Sequence, residues 1–465
     1  MVFSSSIFLC FFLPLVLFCS LIIKTKYVNV CLLLFSLLFY MWGEPKFVIV
    51  FLASILMNYC TGLLLGATKE QPGKKKAVMV MGVFLNLFLL FIYKYLGLII
   101  NTFDLQGFFP ESFSNIALPI GISFYTFQAM SYLIDVYRDQ VKVQKNLLKL
   151  ALYIALFPQL IAGPIVRYID VANEIDNRTV SVSDFRVGIR RFSVGLAKKV
   201  LISNSVALYA DTVFGMSADL LTSGAAWLGI ICYTIQIYFD FSGYSDMAIG
   251  IGRMLGFHFL ENFKMPYASK SIQEFWRRWH ISLSSWFRDY LYIPLGGNRK
   301  GLFRMMINQL IVFGLCGIWH GAEWSFLVWG IYHGLFLLLE KIPKVKYYLN
   351  KLPPIIGVLY TMLVVMVGWV FFRADTISHA GMYLRTMFSF NGFDLFGDRV
   401  SLSLTLSTCI IGIVMSTVKM PIRYEENDSN TRGIIFQDIL LILLLLLCLI
   451  RIVPNNYNPF IYFRF

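Results

Sequence analysis

Apolar runs close to the length of a membrane span recur along the whole chain, and no other feature limits the possible fold as strongly. A helix needs about 20 mostly apolar residues to cross a bilayer. The runs lie at about 6–23, 28–42, 46–66, 77–100, 116–135, 147–165, 192–214, 224–240, 243–258, 303–320, 322–340, 354–373, 402–418 and 434–453. The sequence therefore predicts an all-α, polytopic membrane protein with eleven to thirteen membrane segments, including amphipathic or re-entrant helices. No soluble domain fits between the runs, so we expect one membrane-embedded domain over residues 1–465.

Composition excludes the soluble classes of protein. Only 14% of the residues are charged, whereas soluble domains carry about 25%. The net charge of +14 comes from basic residues at the ends of apolar runs, which is typical of loops that face anionic lipid. The lipid bilayer is thus the predicted partner, and nucleic acid is not. The eight cysteines show no C-x-x-C pair and no metal-ligand spacing, so we predict no metal site.

The loops between the first five apolar runs alternate in charge. Basic residues fill the loops at 24–27, 67–76 and 137–146, whereas residues 101–115 contain no Lys or Arg. Cytoplasmic loops are enriched in Lys and Arg. The pattern predicts that the three basic loops face the cytoplasm and that the N-terminus lies outside.

Residues 269–301 differ from the rest because they mix aromatic and basic residues. Ser271 and Glu274 have capping-box spacing. The aromatic and apolar residues that follow recur at three- and four-residue steps, at Phe275, Trp276, Trp279, Leu283, Trp286, Phe287 and Tyr290. On a helix, His280, Ser284 and Arg288 would share another strip. We predict one amphipathic helix at an interface or lining a cavity.

Two of the five histidines lie in unusual places. His320 ends an apolar run, where an ionisable group is costly and usually functional, and His280 lies in the amphipathic segment. This pairing predicts acid/base chemistry inside the membrane. Glu323 would orient the imidazole of His320 if the helix continues through Gly321. Two structural alternatives remain open: a lipid-surface helix without chemistry for the His280 segment, and a histidine bonded to a backbone carbonyl for His320.

Other ionisable residues in or beside apolar runs are interpreted mainly as structural ion pairs. They are Lys94, Asp135, Asp240, Asp246 and Arg253. For Lys94 we expect snorkelling towards the interface or pairing with an aspartate. A helix break is predicted between Asp240 and Asp246.

Several motifs together resemble the membrane-bound O-acyltransferase family, in its branch of alginate O-acetylation membrane proteins. The resemblance covers nearly the whole chain. It includes the segment around His280 and the motifs Met1-Val-Phe-Ser-Ser, Pro119-Ile-Gly-Ile-Ser-Phe-Tyr-Thr-Phe-Gln128, Phe157-Pro-Gln-Leu-Ile-Ala-Gly-Pro164, Phe239-Asp-Phe-Ser-Gly-Tyr-Ser-Asp246, Gly317-Ile-Trp-His-Gly-Ala322 and Pro459-Phe-Ile-Tyr-Phe-Arg-Phe465.

The resemblance implies a ring of membrane helices around a central cavity and a location in the bacterial inner membrane. It implies that His320 is the catalytic base or relay, that His280 is the second catalytic histidine, and that residues 269–340 carry the catalytic segment. The acyl donor would be cytosolic, as acetyl-CoA or an acyl carrier, with no tightly bound cofactor. The acceptor would be an exported polysaccharide or an extracytoplasmic partner acyltransferase.

Substrate and donor contacts are expected close to these histidines. Basic groups attract the phosphates of coenzyme A or an acidic carrier. The candidate binding residues are Arg277, Arg278, Trp279, Ser284, Arg288 and Glu323, and Arg299 and Lys300 add to the basic face.

Other functions remain open from the sequence. Within the same chemistry, the acceptor could be peptidoglycan, teichoic acid in D-alanyl transfer, or a small molecule. From other classes, the chain could be a transporter whose histidines relay protons, or a non-enzymatic scaffold for polymer export. A transporter of the repeat-built kind would show two related halves, and the sequence shows no internal repeat.

Overall fold

The computed structural model describes residues 1–110, 113, 116–418, 431–453 and 459–461. The described residues form helices and no β-strand, which confirms the all-α prediction. The α-helices are, in chain order, α1 (Leu13–Ile22), α2 (Thr25–Gly43), α3 (Val48–Ala67), α4 (Pro72–Leu90), α5 (Leu96–Thr102), α6 (Ile122–Tyr137), α7 (Leu147–Ala155), α8 (Phe157–Leu160), α9 (Tyr168–Asn177), α10 (Val182–Ala197), α11 (Asn204–Phe214), α12 (Ser223–Met254), α13 (Ile272–Arg278), α14 (Ile281–Phe287), α15 (Gly301–His320), α16 (Trp324–Leu339), α17 (Pro343–Lys351), α18 (Pro354–Arg373), α19 (Ile377–Ser389), α20 (Arg399–Thr417) and α21 (Thr431–Ile452).

Short irregular turns extend or join several of these helices. Wider π-helical turns occupy Phe8–Phe12, Phe91–Tyr95, Lys198–Ser203 and Arg288–Tyr292. Tighter 3-10 turns occupy Pro45–Phe47, Leu105–Gly107 and Pro266–Ala268. The last four residues of the C-terminal motif, 462–465, lie outside the described residues.

The chain divides into two compact units, each built from separate stretches of sequence. The first unit contains Met1–Val194, Tyr244–Leu260 and Tyr424–Leu444, and the second contains Gly195–Gly243, Glu261–Arg423 and Leu445–Phe465. The predicted catalytic segment 269–340 lies entirely in the second unit.

In the first unit, helix α6 packs against α3 and α4 and is buried on almost every side. Asn58 on α3 and Asn86 on α4 exchange side-chain hydrogen bonds of 3.1 and 2.8 Å. Paired amides satisfy each other where water is absent, and this is how membrane helices commonly bind one another.

In the second unit, α15 and α16 form a tightly packed antiparallel hairpin. A Cβ on Gly317 would lie 2.2 Å from the carbonyl oxygen of Phe326, and a Cβ on Gly330 would lie 2.2 Å from that of Phe313. Only glycine allows two helix backbones to approach this closely. Helix α13 packs on α16 and α18, so the same hairpin supports the segment that carries His280.

Seven helical segments in the described part of the chain are long and apolar enough to cross a membrane: Lys26–Gly43, Pro45–Ala67, Pro72–Thr102, Gly301–His320, Pro354–Arg373, Arg399–Thr417 and Ile434–Ile452. Helices α16 and α17, bent by 84°, make an eighth if the pair is one broken span. The other predicted segments correspond to helices that are shorter, such as Phe8–Ile22, or more polar. These helices confirm a polytopic membrane protein.

One expectation about polar residues in apolar runs was wrong, and one of the two alternatives for Lys94 is excluded. The break predicted between Asp240 and Asp246 is absent, because α12 continues through it as one helix of 32 residues. Gly243 instead lets the backbone at Gly195 pack closely against α12, since a Cβ on Gly243 would lie 2.7 Å from the carbonyl oxygen of Gly195. Lys94 does not snorkel: it is buried and donates to the Ser123 hydroxyl at 3.2 Å.

The structural ion pairs predicted for the other residues are confirmed at three positions. Asp240 pairs with Lys199 at 2.6 Å in the second unit. In the first unit, Asp246 pairs with Arg191 at 2.6 Å and Arg253 with Asp184 at 2.8 Å. Pairing compensates for the cost of taking these charges out of water.

Candidate active site

The segment around His280 is two short helices and not the single amphipathic helix that the sequence predicted. Helix α13 ends at Arg278, Trp279 is extended, and His280 has φ 44° and ψ 56° in the left-handed region. Ser284 and Arg288 therefore do not share a helical strip with His280. Left-handed backbone is uncommon for residues other than glycine and clusters at functional sites.

Backbone pairing with an upstream segment explains the break. The carbonyl oxygen of Arg278 accepts a hydrogen bond from the Lys264 amide at 3.0 Å, and the Ile281 amide donates to the carbonyl oxygen of Asn262 at 2.9 Å. A continuous helix would use both groups internally. Sequence periodicity could not reveal this, because the competing partners lie 14 to 19 residues upstream.

The side chain of Asn262 binds the same turn. Its Oδ1 accepts from the Ser282 amide at 3.2 Å and from the Ser282 hydroxyl at 2.9 Å, and it lies 3.1 Å from Nδ1 of His280. All three residues are buried. Asn262 was not singled out from the sequence, and no local pattern marks it, since its role depends on the pairing of two loops.

The imidazole of His280 lies in an aromatic environment. Its ring centroid is 4.6 Å from that of Phe241 and 6.5 Å from that of Phe263. Burial lowers the pKa of His280 to about 3, because a charged ring would lose its hydration there. The ring is therefore neutral at physiological pH.

His320 is the last residue of α15, and the chain turns extended at Gly321. Its ring packs against Trp319, Trp329 and Phe372 at centroid distances of 5.0, 5.1 and 5.2 Å. The carboxyl end of a helix favours positive charge. At this end of α15, the helix dipole would favour a positive charge on the ring.

The fold brings the two histidines together, although they are forty residues apart in sequence. Their ring centroids are 6.4 Å apart, and both rings also contact Trp319. At this separation the two rings do not hydrogen-bond directly. A substrate between them could touch both rings, and proton transfer requires a base that is positioned in this way.

A third histidine, His333 on α16, lies behind this pair. Trp329 separates them, with its centroid 5.1 Å from that of His320 and 5.3 Å from that of His333. His333 is fully buried, and neither of its ring nitrogens has a hydrogen-bond partner in the described part of the chain. The sequence offered the same signal as for His320, an ionisable residue in an apolar run, and our interpretation overlooked it.

Two of the three residues predicted next to His280 are packing or paired residues. Trp279 is buried and packs on Phe263 and Trp369 at 5.1 and 5.0 Å. Arg278 forms an ion pair with Glu274, so its charge is locally neutralised. Arg277 is exposed. Among the described residues, neither arginine forms a hydrogen bond or an ion pair with either histidine.

The remaining predicted residues are Ser284, Arg288 and Glu323. Ser284 is half-buried, and its amide donates to the carbonyl oxygen of His280 at 3.0 Å. Arg288 is exposed and pairs with Asp289 at 2.6 Å. Glu323 is exposed, and α15 ends before it, so the helical i+3 geometry proposed for Glu323 and His320 does not form.

Within the described residues, no group of three His, Cys, Asp or Glu side chains could hold a metal ion.

The sequence matches a known family over most of its length. The model of the membrane-bound O-acyltransferase family matches residues 37–372. This range includes His280, His320 and His333, together with Asn262 and the aromatic residues around them.

Curated relatives cover most or all of the chain. A probable alginate O-acetylase AlgI from Pseudomonas putida is 40% identical over 100% of both chains. A peptidoglycan O-acetyltransferase from Helicobacter pylori is 35% identical over 78% of this chain and 74% of its own. A teichoic acid D-alanyltransferase from Bacillus subtilis is 28% identical over 56% of this chain and 70% of its own.

Proposed function

The chain belongs to the membrane-bound O-acyltransferase family and is a multi-pass membrane acyltransferase, and we propose that it moves an acetyl group from a cytosolic donor to an exported polysaccharide. The observation that supports this proposal is the pair of buried imidazoles of His280 and His320, whose ring centroids lie 6.4 Å apart. Burying an imidazole inside a membrane protein lowers its stability, so such a residue usually has a function.

In the proposed reaction, His320 is the general base. An acceptor hydroxyl attacks the carbonyl carbon of an acyl thioester, and an imidazole nitrogen of His320 takes the hydroxyl proton. A carbon–oxygen bond forms, the carbon–sulfur bond breaks, and the proton passes to the departing thiolate. Positioned general acid/base catalysis contributes about 10²–10⁴-fold to the rate.

His280 supports this step without changing its charge. Its pKa of about 3 keeps the ring neutral, so it can hydrogen-bond the substrate without taking a proton from it. The aromatic residues around both rings exclude water, which strengthens every polar contact inside the site.

For the donor, we propose coenzyme A or an acyl carrier, held in part by the exposed Arg277. Both carry phosphate, which a guanidinium binds well. Among the four arginines of residues 269–301, Arg278 and Arg288 already have carboxylate partners. The positive charge available to a phosphate therefore lies on the exposed Arg277, Arg299 and Lys300, of which Arg277 is nearest to His280 in sequence.

For the acceptor, we propose a polysaccharide similar to alginate, because the Pseudomonas putida relative matches the chain from end to end. The direct acceptor could equally be the hydroxyl of an extracytoplasmic partner acyltransferase, which would then pass the group on. Peptidoglycan is the second candidate, since the Helicobacter pylori relative still covers 78% of the chain.

The central experiment measures ester-linked acetyl in the envelope of a deletion strain. The strain is complemented with wild type, His320→Ala, His280→Ala or the control His258→Ala, with membrane levels matched. His258 is 42% exposed and lies in the other unit. Exopolysaccharide and peptidoglycan are analysed separately, which separates the two acceptor candidates.

We expect wild type and His258→Ala to restore the esters and both other variants to fail. Full restoration by His320→Ala would overturn the assignment of His320 as the base.

A second measurement tests the donor site. Arg277→Gln should raise the KM for the acyl donor several-fold while kcat stays unchanged, because the lost phosphate contact is equally strong in the ground state and in the transition state. Arg288→Gln, whose arginine is already paired, is the matched control and should leave KM unchanged. An unaltered KM in Arg277→Gln would count against this assignment.

A further inference from the structure

The contacts around Asn262 determine which way its amide is oriented. A backbone N–H can only donate a hydrogen bond. The amide atom that lies 3.2 Å from the Ser282 nitrogen and 2.9 Å from the Ser282 hydroxyl is therefore the carbonyl oxygen. The reverse orientation would place the amide –NH₂ against a backbone donor.

The same oxygen determines the protonation pattern of His280. It lies 3.1 Å from Nδ1 and carries no hydrogen of its own, so the hydrogen between the two atoms must belong to Nδ1. The Ser282 hydroxyl is also 3.4 Å from Nδ1, but it lies closer to the Asn262 oxygen. In a neutral imidazole with a hydrogen on Nδ1, Nε2 is a bare acceptor.

We infer that Asn262 is a positioning residue that holds His280 as the Nδ1–H tautomer and so presents Nε2 as the hydrogen-bond acceptor for a substrate hydroxyl other than the one whose proton His320 removes. This inference rests on the proposed role of His280 in acyl transfer. Nε2 is buried and accepts no hydrogen bond from the described residues. A buried acceptor without a donor is unfavourable, and a hydroxyl bound during the reaction would satisfy it.

Backbone geometry supports the same function. His280 adopts a left-handed conformation at the point where Asn262 and Lys264 bind the turn through their main chains. The side chain and the main chain of Asn262 thus act together, one on the imidazole and the other on the turn that carries it. Strain of this kind persists only where surrounding contacts hold it.

The direct test is nitrogen NMR of the full-length protein in detergent micelles, labelled with ¹⁵N-histidine. The chain has only five histidines, and the His280→Gln spectrum identifies the His280 signals. We expect a protonated Nδ1 and an unprotonated Nε2 throughout the range of about pH 5–8 in which an ordinary histidine titrates. A protonated Nε2 in the wild-type protein would overturn the inference.

Variants of Asn262 link the tautomer to activity. Asn262→Leu should abolish the single tautomer and lower kcat by about tenfold or more, with the KM for the donor unchanged. Asn308→Leu is the matched control: Asn308 is also buried, but it donates to the carbonyl oxygens of Leu295 and Gly297. It should leave the His280 spectrum unchanged. An unaltered His280 spectrum in Asn262→Leu would contradict the inference.

The Asn262→Asp variant tests this role through the pH dependence of activity, which would not change if Asn262 were merely structural. A carboxylate at this position still accepts from Nδ1 but stabilises the imidazolium, which raises the pKa of an adjacent histidine by about 1–3 units. His280 acts in its neutral form. On acidification, the Asn262→Asp variant should therefore lose activity at a higher pH than the wild type does. Of the side chains in ring contact with His280, namely Phe241, Phe263, Trp319 and His320, only His320 also titrates, and it is unchanged in this variant.

Failure of the inference and failure of the proposed function are distinguishable. If His280→Ala keeps full activity, the proposed role of His280 fails while the NMR still tests the tautomer. If His280→Ala is inactive but Asn262→Asp leaves the acid limb of the pH profile in place, the function stands and the role of Asn262 is wrong.

Discussion

Lys199 and Asp240 form an ion pair in which the two side chains are only 2% and 1% exposed. The amide of Ile461 donates to the second Asp240 oxygen at 2.8 Å, and Lys199 lies over the ring of Phe460 at 5.9 Å. The pair therefore fixes part of the C-terminal motif to α12. Removing one partner of such a buried ion pair is strongly destabilising, whereas replacing both partners by uncharged residues changes the stability little.

We predict that Lys199→Met alone destabilises the protein by about 3–5 kcal/mol, because it leaves a buried carboxylate without its counter-charge. The double variant Lys199→Met/Asp240→Asn should recover most of that loss. Thermal unfolding in detergent measures both. The exposed pair of Arg288 and Asp289 is the control, and Arg288→Met should cost less than about 1 kcal/mol. A double variant as unstable as the single one would contradict the prediction.

Single candidate residues were predictable where an ionisable side chain lies in an apolar or aromatic stretch of sequence. His320 and His280 attract attention because a titratable group in an apolar or aromatic run needs a reason to be there. Asn262 lacks any such signal, since an asparagine in a polar loop is ordinary. The left-handed backbone of His280 was equally unpredictable, because it follows from hydrogen bonds with residues 262–264 and not from its neighbours in sequence.

At the scale of elements, the close approach of α15 and α16 positions His320 beside Trp329. Gly317→Ala would place a methyl group 2.2 Å from the carbonyl oxygen of Phe326. The backbone of a packed helix cannot move away from this clash as a flexible side chain could. We expect a loss of about 1–3 kcal/mol and a large drop in acyl transfer. Gly314→Ala on the same helix is the control, because its Cβ would meet only Leu327 at 3.7 Å. Equal effects of the two variants on stability and activity would refute this account.

Helix α13 depends on a distant carboxylate for its start. The carboxylate of Glu340, at the end of α16, accepts hydrogen bonds from the amides of Ile272 and Gln273 at 2.7 and 2.9 Å. We predict that Glu340→Ala costs about 1–3 kcal/mol, because both amides lose their partner. Glu340→Gln, which keeps one acceptor oxygen, should cost less. Urea unfolding followed by tryptophan fluorescence would compare them, and equal stability of Glu340→Ala and wild type would contradict the prediction.

Element boundaries were predictable only where local signals decide them. Ser271 does accept from the Glu274 amide at 3.1 Å, as the capping box predicts. The break at His280 and the continuity of α12 were both misjudged, because each depends on tertiary contacts. A glycine between two aspartates is typical of a break, yet Gly243 lies in a helix because another backbone needs the space.

For the whole molecule, composition and the recurrence of apolar runs were enough to predict a polytopic all-α protein. The number of spans was harder, because several helices are too short or too polar to be recognised as spans from hydropathy alone. The ring around a cavity that the family resemblance implies stays a prediction. It depends on how helices from distant parts of the sequence assemble, which hydrophobic patterning does not encode.

The last prediction concerns the orientation of the chain in the membrane. Contacts in the first unit place the predicted cytoplasmic loops on one face: Lys75 pairs with Asp139 at 2.7 Å, and Asn29 donates to the carbonyl oxygen of Ile175, next to Asp176, which pairs with Lys149. The positive-inside rule makes this the cytoplasmic face, where an acyl donor would be available.

Single cysteines in an otherwise cysteine-free protein would test the orientation with a membrane-impermeant maleimide. Gln106→Cys should react in intact cells, whereas Lys74→Cys and Lys142→Cys should react only after permeabilisation. All three positions are exposed, so differences in burial do not confuse the result. Labelling of Lys74→Cys in intact cells would invert the topology. Inversion would also place the donor on the wrong side of the membrane for the proposed function, so this experiment tests the fold and the chemistry together.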